Sequence, residues 1–477
     1  MAELHELTAL DAAAAVRRRE VSPVELVEHA LDRIARLDEQ VGAFVTVTSE
    51  LALERARAAE RAVADADDPA TLPPLLGVPT AIKDLNLTAG IVTKLGSRAF
   101  ADFVPAVDDY VVTLLRSAGT ISLGKTATPE FGLPCYTETD LGAPARTPWD
   151  TARLAGGSSG GAGAAVASGF VAIAQGSDGG GSLRIPASVC GLVGLKTSRG
   201  RVSKGPLDVD SSRLSVYGPL ARTVRDAAAF LDAVAIPQPG DPDPLAPLPP
   251  GETFLGWCER TPGPLRIGRY LDSPIATVVD PQVRDAWEQA SRLLASLGHE
   301  VVDIAAPLPA EAVPAFEVVW AVTACGVPVP PDRLELLRPL TRHLRERGAQ
   351  VSGPAYAAAI GALNLFARQG IAATAHLDAV LAPTLAQLPQ PVGWFAGDGT
   401  DPAADFERQK QFTPYTAMYN MTGQPAVSLP LYQSTENLPI GIMLVGRPGG
   451  DAPLLALAAQ LEAALPWHDR RPEIWSQ

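Results

Sequence analysis

Cysteine is scarce in this sequence: Cys135, Cys190, Cys258 and Cys325 are the only four in 477 residues, and no two form a CxxC pair. Such spacing argues against a disulfide framework or a zinc ribbon and suits reduced thiols in a cytoplasm. Histidine is almost as rare. His5, His29, His299, His343, His376 and His468 show no metal-ligand spacing, so no metal is expected, and none lies within a hundred residues of the Gly/Ser-rich stretch 156–182. A Ser/His/Asp triad would have to recruit a distant histidine. Basic residues are in deficit, 39 against 53 acidic, giving a net charge of −14 with no block of like charge. Most of such a surface repels nucleic acid. The N-terminal MAELHELTALDAAAAVRRRE carries acids where an export signal needs bases, so no export is expected. The longest uncharged stretch, about 154–175, is broken by GGSSGG and is too rich in glycine for a membrane-spanning helix.

What is present is enough for a packed globule, with 47% apolar and 19% charged residues. Ser22, Pro23 and Glu25 form a capping-box pattern that predicts an amphipathic helix over 22–37. The run 65–75 is a loop rich in turn formers, followed by LLGVPTAIKDL, a buried strand that delivers Lys83 and Asp84 at its polar end. A helix over 110–118 and the strand TISLGK come next. Later come RIGRY, a helix over 280–297, the strand HEVVDI, helices over about 331–347 and 353–375, the strands PAVSLPL and LPIGIMLVG, and a last helix over 453–465. The alternation predicts an α/β core with helices packed outside it. Residues 236–264 are dense in proline without apolar periodicity and are expected to form a surface excursion.

Two Gly/Ser motifs carry the chemical interest: AGGSSGGAGAAVASG at 155–169 and QGSDGGGSLRIPASVCGLVGLK at 175–196. A flexible linker has this composition too, but both motifs are flanked by apolar runs that would be buried. In a buried setting glycine lets several amide N–H groups converge on one point, as an oxyanion requires, and one good donor there is worth roughly 3–4 kcal/mol. GSDGGGSLR fails the dinucleotide pattern GxGxxG because Arg184 stands where its last glycine belongs. GTISLGKT at 119–126 matches the phosphate-loop pattern, but its interior is Ile-Ser-Leu and Pro129 follows almost at once. It is expected to be a core strand with a solvated Lys125.

With these residues in view, the chain resembles the amidase-signature family. The resemblance runs through VSPVELVEHALDRI, GVPTAIKD, GKTATPEFG, TPWDTARLAGGSSGG, GSDGGGSLRIPASVCGLVGLK, TVRDAAAFLDAV, TGQPAVSLP and LPIGIMLVG. It implies one domain over 1–477 with a signature core at about 75–235, built on a large mixed twisted β-sheet covered by helices on both sides. It also implies a catalytic set of a lysine, a serine preceded by a cis peptide bond, and a nucleophilic serine, which fall on Lys83, Ser158 and Ser182. The backbone N–H groups of Gly179, Gly180, Gly181 and Ser182 would form the oxyanion hole, with Ser159, Ser177, Asp178 and Arg184 supporting the loop. No cofactor is implied. The sequence departs from the family at Gly179, where threonine is common, and at Ala155, where proline is common. Gly179 is expected to enlarge the space beside the scissile bond.

Chemistry supports this assignment. A serine hydroxyl attacks only when a base takes its proton, and Lys83 can serve only if burial lowers its pKa from about 10.4 towards neutrality. The family includes acylamidases, cyclic-amide and nylon-oligomer hydrolases, urethane-cleaving enzymes and the amidotransferase subunit that acts on aminoacyl-tRNA. TPEFGLPCYTET and the acidic surface speak against the last. SVCGLVGLK and the ending LEAALPWHDRRP look closer to the nylon-oligomer, cyclic-amide and urethanase group. The expectation is therefore a small uncharged amide or carbamate, with Cys135 and Cys325 as candidate pocket residues and a monomer or homodimer as the working form. An esterase would share every one of these catalytic residues.

Overall fold

The segments PTAIK, IAQGSD, VGLK and VYGPLA are buried at every residue, a pattern that arises when both faces of a sheet are covered. The computed structural model describes residues 3–208 and 210–477. Eleven strands join in one sheet: β1 (Phe44–Val47), β2 (Pro79–Lys83), β3 (Ile121–Thr126), β4 (Ile173–Asp178), β5 (Val193–Lys196), β6 (Val216–Ala221), β7 (Arg266–Arg269), β8 (Glu300–Asp303), β9 (Ala379–Pro383), β10 (Ala426–Gln433) and β11 (Pro439–Gly446). Their order across the sheet is β1-β3-β2-β4-β6-β5-β10-β11-β9-β7-β8. The pairs β3/β2, β2/β4, β9/β7 and β7/β8 are parallel, and the rest are antiparallel. This is the large mixed α/β sheet expected from the resemblance.

Local sequence explains the first long helix well. In Pro23–Val41 the Ser22 hydroxyl accepts from the Glu25 amide and the Glu25 carboxylate accepts from the Ser22 amide, so two orphan donors are satisfied at once. Elsewhere tertiary context overrides the pattern. The helix expected over 331–347 is a 3₁₀ turn at Pro331–Leu336 and a separate helix at Pro339–Ala349, because Pro339 cannot donate an amide and instead opens the second helix. Helices at Ala9–Arg17, Ser49–Asp65, Ala312–Cys325 and Pro402–Phe412 were not expected. The proline-rich excursion is anchored at its far end. Its short helix Phe254–Trp257 buries Phe254, and the Asp232 carboxylate accepts from the Phe254 and Leu255 amides.

Two placements matter for the site. Parallel pairing of β2 with β4, Thr80 against Ile173 and Ala81 against Ala174, brings the carboxyl ends of both strands side by side. Open α/β sheets bind ligands at such ends. The first Gly/Ser motif then forms the helix Gly160–Ala167, buried at all eight residues. Its small side chains let it rest on the backbone itself: the Gly161 amide donates to the Ala127 carbonyl, while a side chain at Gly161 would begin 2.3 Å from the Ala127 nitrogen and 2.4 Å from the Ala43 carbonyl oxygen. The motif is a close-packing device.

Gly161→Ala is therefore expected to lower the urea unfolding midpoint by the equivalent of about 2–3 kcal/mol. Gly142→Ala, at an exposed loop position with open space around it, should shift the midpoint by less than about 0.5 kcal/mol.

Candidate active site

Lys83 closes β2 with its side chain fully buried. Its Nζ lies 2.7 Å from Ser158 Oγ and 2.9 Å from both Ser159 Oγ and Ser177 Oγ. Burial pushes its pKa down to about 7, with the Asp178 carboxylate pulling the other way. The strand end is set by Gln175, whose side-chain oxygen accepts from the Lys83 amide and whose nitrogen donates to Asn86 Oδ1. Ser158 follows a cis peptide bond from Gly157. Its Oγ is 3.2 Å from where a side chain at Gly132 would begin, so that glycine leaves the hydroxyl its room.

The hydrogen-bond inventory around Nζ is directional. The Ser159 hydroxyl donates to the Ser177 carbonyl at 3.1 Å, so towards the lysine it is an acceptor. A neutral amine has two hydrogens and one lone pair. With one hydrogen directed to Ser159, a neutral Lys83 can turn its lone pair to the shortest partner, the Ser158 hydroxyl at 2.7 Å.

Past the end of β4 the chain turns through Gly179, Gly180 and Gly181 to Ser182. The Asp178 carboxylate organises that turn, accepting from the Gly181 amide at 2.8 Å and the Leu183 amide at 3.1 Å. Arg184 grips the same carboxylate through Nε at 3.0 Å and Nη2 at 2.9 Å, and both side chains are wholly buried. Burial alone would raise the Asp178 pKa, yet the Arg184 guanidinium and its hydrogen bonds hold it well below the usual carboxylate range. Asn420 completes the knot, donating to the Asp178 carbonyl and carboxylate and accepting from Arg184. Gly181 needs its identity, since it has φ +138° and a side chain there would begin 2.4 Å from Thr416 Oγ1.

Of the four expected oxyanion donors, Gly181 is therefore a correction: its N–H already belongs to Asp178. Among the described residues, the N–H groups of Gly179, Gly180 and Ser182 have no hydrogen-bond acceptor. The Ser182 carbonyl accepts from the Ser159 amide at 3.2 Å, which draws the two serine segments together.

Ser182 opens onto a cleft of about 100 Å³ lined by Leu133, Pro134, Cys135, Ile185, Ile275, Leu308, Phe316, Trp320, Phe406, Met418 and Met421 among others. Cys135 thus lies in the wall, its amide donating to Gln409 Oε1 at 2.9 Å, and burial pushes its thiol pKa far up. Cys325 does not line the cleft. Its thiol turns to the Ala321 and Arg345 carbonyls, in the seam between helices Ala312–Cys325 and Pro339–Ala349. Among the described residues, Lys410 is the one charged side chain in the lining, and Glu317 and Glu407 neutralise it. A side chain at Gly179 would begin in ordinary contact, 3.5 Å from two ring carbons of Trp320 and 3.6 Å from Ser215 Cβ, so the glycine leaves room for one side-chain carbon, bounded by the Trp320 ring.

Lys125 is a further correction, outside the cleft. It is buried, not solvated, and donates to the Asn86 carbonyl, Thr88 Oγ1 and Thr93 Oγ1. Among the described residues no histidine lines the cleft. Glu3, His5 and His29 do bring potential ligand atoms within 4.8 Å of one another. The two rings already hydrogen-bond each other at 3.1 Å, and the neighbouring Arg33 guanidinium opposes a further cation. Sequence reading missed Gln175, Thr416, Asn420 and Trp320, and only Gln175, within the second motif, stood near a recognised signal.

Arg184→Met would leave the Asp178 carboxylate buried without its countercharge. The expected cost is about 3–5 kcal/mol, read as a lower urea midpoint, whereas Arg347→Met, at an exposed ion pair with Glu317, should cost less than about 1 kcal/mol.

Among the described residues no helix is long and apolar enough to cross a membrane. The chain is similar to the 6-aminohexanoate-cyclic-dimer hydrolase of Paenarthrobacter ureafaciens, 36% identical over 490 residues that cover 96% of this chain and 95% of that one. It is equally similar to a glutamyl-tRNA(Gln) amidotransferase subunit from Moorella thermoacetica, 36% identical over 501 residues and 99% of each chain. A solved structure of 6-aminohexanoate cyclic dimer hydrolase complexed with substrate superposes with a TM-score of 0.90 at 32% identity, covering 99% of both chains. The Amidase family model matches residues 25–455, and the chain belongs to the amidase family of carbon–nitrogen hydrolases.

Proposed function

We propose that the protein hydrolyses small uncharged amides, and carbamates of similar shape, through an acyl-enzyme on Ser182. The observation that carries this reading is the triple contact of a buried, near-neutral Lys83 with three serine hydroxyls beside a nucleophile that opens onto an apolar cleft. The Lys83 lone pair takes the proton of Ser158, Ser158 takes that of Ser182, and Ser182 Oγ bonds to the carbonyl carbon. The oxygen that becomes negative is met by the N–H groups of Gly179, Gly180 and Ser182. As the carbon–nitrogen bond breaks, the same relay returns the proton to the departing nitrogen. Water then attacks the ester on Ser182, gives its proton to the relay and releases the acid.

The lining supports the substrate class. An apolar wall whose single charge is already neutralised rewards uncharged substrates, because a substrate ion would lose its hydration without gaining a countercharge. The acidic surface argues against aminoacyl-tRNA as a substrate. The four unpaired cysteines fit a reducing cytoplasm.

Wild type and Ser182→Ala should be compared for amine release from matched anilides and aryl carbamates. Wild type is expected to turn over at least one of the pair and the variant to lose about 10⁴-fold or more in kcat. Undiminished turnover by the variant would overturn the assignment.

A lysine that works only when neutral also fixes the pH profile. kcat/KM is expected to rise as pH passes through about 7 and to level off above it, following Lys83 deprotonation in the free enzyme. A profile that falls over that interval would contradict Lys83 as the base.

A further inference from the structure

We infer that Trp320 is the specificity-determining residue of the cleft: its indole closes the space over Gly179 and limits the bulk of the substrate group that can lie against the glycine turn. The inference rests on the proposal that this cleft holds the substrate of Ser182.

Three observations lead to it. Phe316 and Trp320 stand one turn apart on the helix Ala312–Cys325, with ring centroids 5.4 Å apart and planes 18° from parallel, so they form one stacked aromatic wall. That wall leans directly on the turn. The outer ring carbons of Trp320 lie 3.5 Å from where a side chain at Gly179 would begin and 3.9 Å from the same point at Gly180, and Phe316 lies 3.8 Å from the latter. Ser215, whose Cβ lies 3.6 Å from the same point at Gly179, lines a separate polar cavity of about 580 Å³ with Lys204, Asp210 and Arg213. Gly179 thus leaves a gap the size of one side-chain carbon bounded by Trp320 and Ser215, and of these two Trp320 is the one that also lines the apolar cleft.

The wall is held in place. Glu317, between the two aromatics, pairs with Lys410 at 2.5 Å and with Arg347 at 3.3 Å, tying the helix to Pro402–Phe412 and to Pro339–Ala349. Gly348 lets the helix Pro339–Ala349 approach so closely that a side chain there would begin 2.2 Å from the Ala321 carbonyl oxygen. Arg345 reaches across to the Ala324 and Val327 carbonyls. A ring fixed from behind selects by shape, and the substrate groups that suit it are flat or small ones able to lie alongside the indole.

The test pairs p-nitroacetanilide with the p-nitroanilide of diphenylacetic acid, and acetanilide with the acetamide of a bulky branched amine, so that both sides of the scissile bond are probed. kcat and KM are measured for wild type, Trp320→Phe and Trp320→Ala. Phenylmethanesulfonyl fluoride titrates competent Ser182 in each, its fluoride leaving as the serine oxygen bonds to sulfur. Trp320→Phe keeps an aromatic ring on the wall while withdrawing the outer ring atoms, and so reports on the wall even where the alanine variant fails to fold. The bulky-to-small ratio of kcat/KM is expected to rise at least about 10-fold in Trp320→Ala in one of the two pairs, carried mainly by KM, and less in Trp320→Phe. In the absence of folded Trp320→Ala, a rise of about 3-fold or more in Trp320→Phe supports the inference. A smaller change at an unaltered serine titre overturns it. Loss of titration in wild type would instead overturn the Ser182 reading on which it rests.

Discussion

A carboxylate withdrawn from water is tolerated only when countercharge and donors surround it, and Asp178 is surrounded by elements far apart in sequence. Its partners are Arg184, the Gly181 and Leu183 amides, and Asn420. Such a pair specifies geometry more than it adds stability, because the attraction is largely offset by desolvation. Each partner fixes something different. The amides set the curvature of the turn, Arg184 fastens the following helix to it, and Asn420 joins the turn to the segment before β10. The turn that carries Ser182 is thus held through one carboxylate.

The same charge acts on Lys83, the base of the proposed relay. Burial lowers the Lys83 pKa to about 7, and Asp178 opposes that effect. Loop geometry and base strength are thus linked through a single group. Parallel pairing of β2 and β4 supplies the proximity, and the buried Gly160–Ala167 helix packs against both strands.

Much of this was legible in the sequence. GVPTAIKD reads as a strand with a polar end, and the two Gly/Ser motifs point to converging amides and candidate serines. What was hidden depends on long-range contact. Asn420 and Thr416 lie more than two hundred residues from the turn they hold, and nothing in MYNMT announces a ligand for an arginine. Lys125 looked solvated because its acceptors, Asn86, Thr88 and Thr93, come from a loop whose path the sequence does not specify. Trp320 sits in an apolar run without a polar partner, where a wall of a cleft and a core helix read alike. Cys325, from the same run, faces the neighbouring helix because helical geometry turns residues five apart away from one another.

The Gly160–Ala167 helix divides the molecule for anyone who wishes to alter it. Where the backbone of one segment rests on the backbone of another, as at Gly161, neither yields easily, and a mutation library placed there would return mostly destabilised protein. The helix Ala312–Cys325 meets the cleft through side chains instead. On the proposed reading, substrate choice drifts along one helix while the address of the candidate serines stays locked by another, a partition that makes this scaffold amenable to directed evolution from one wall.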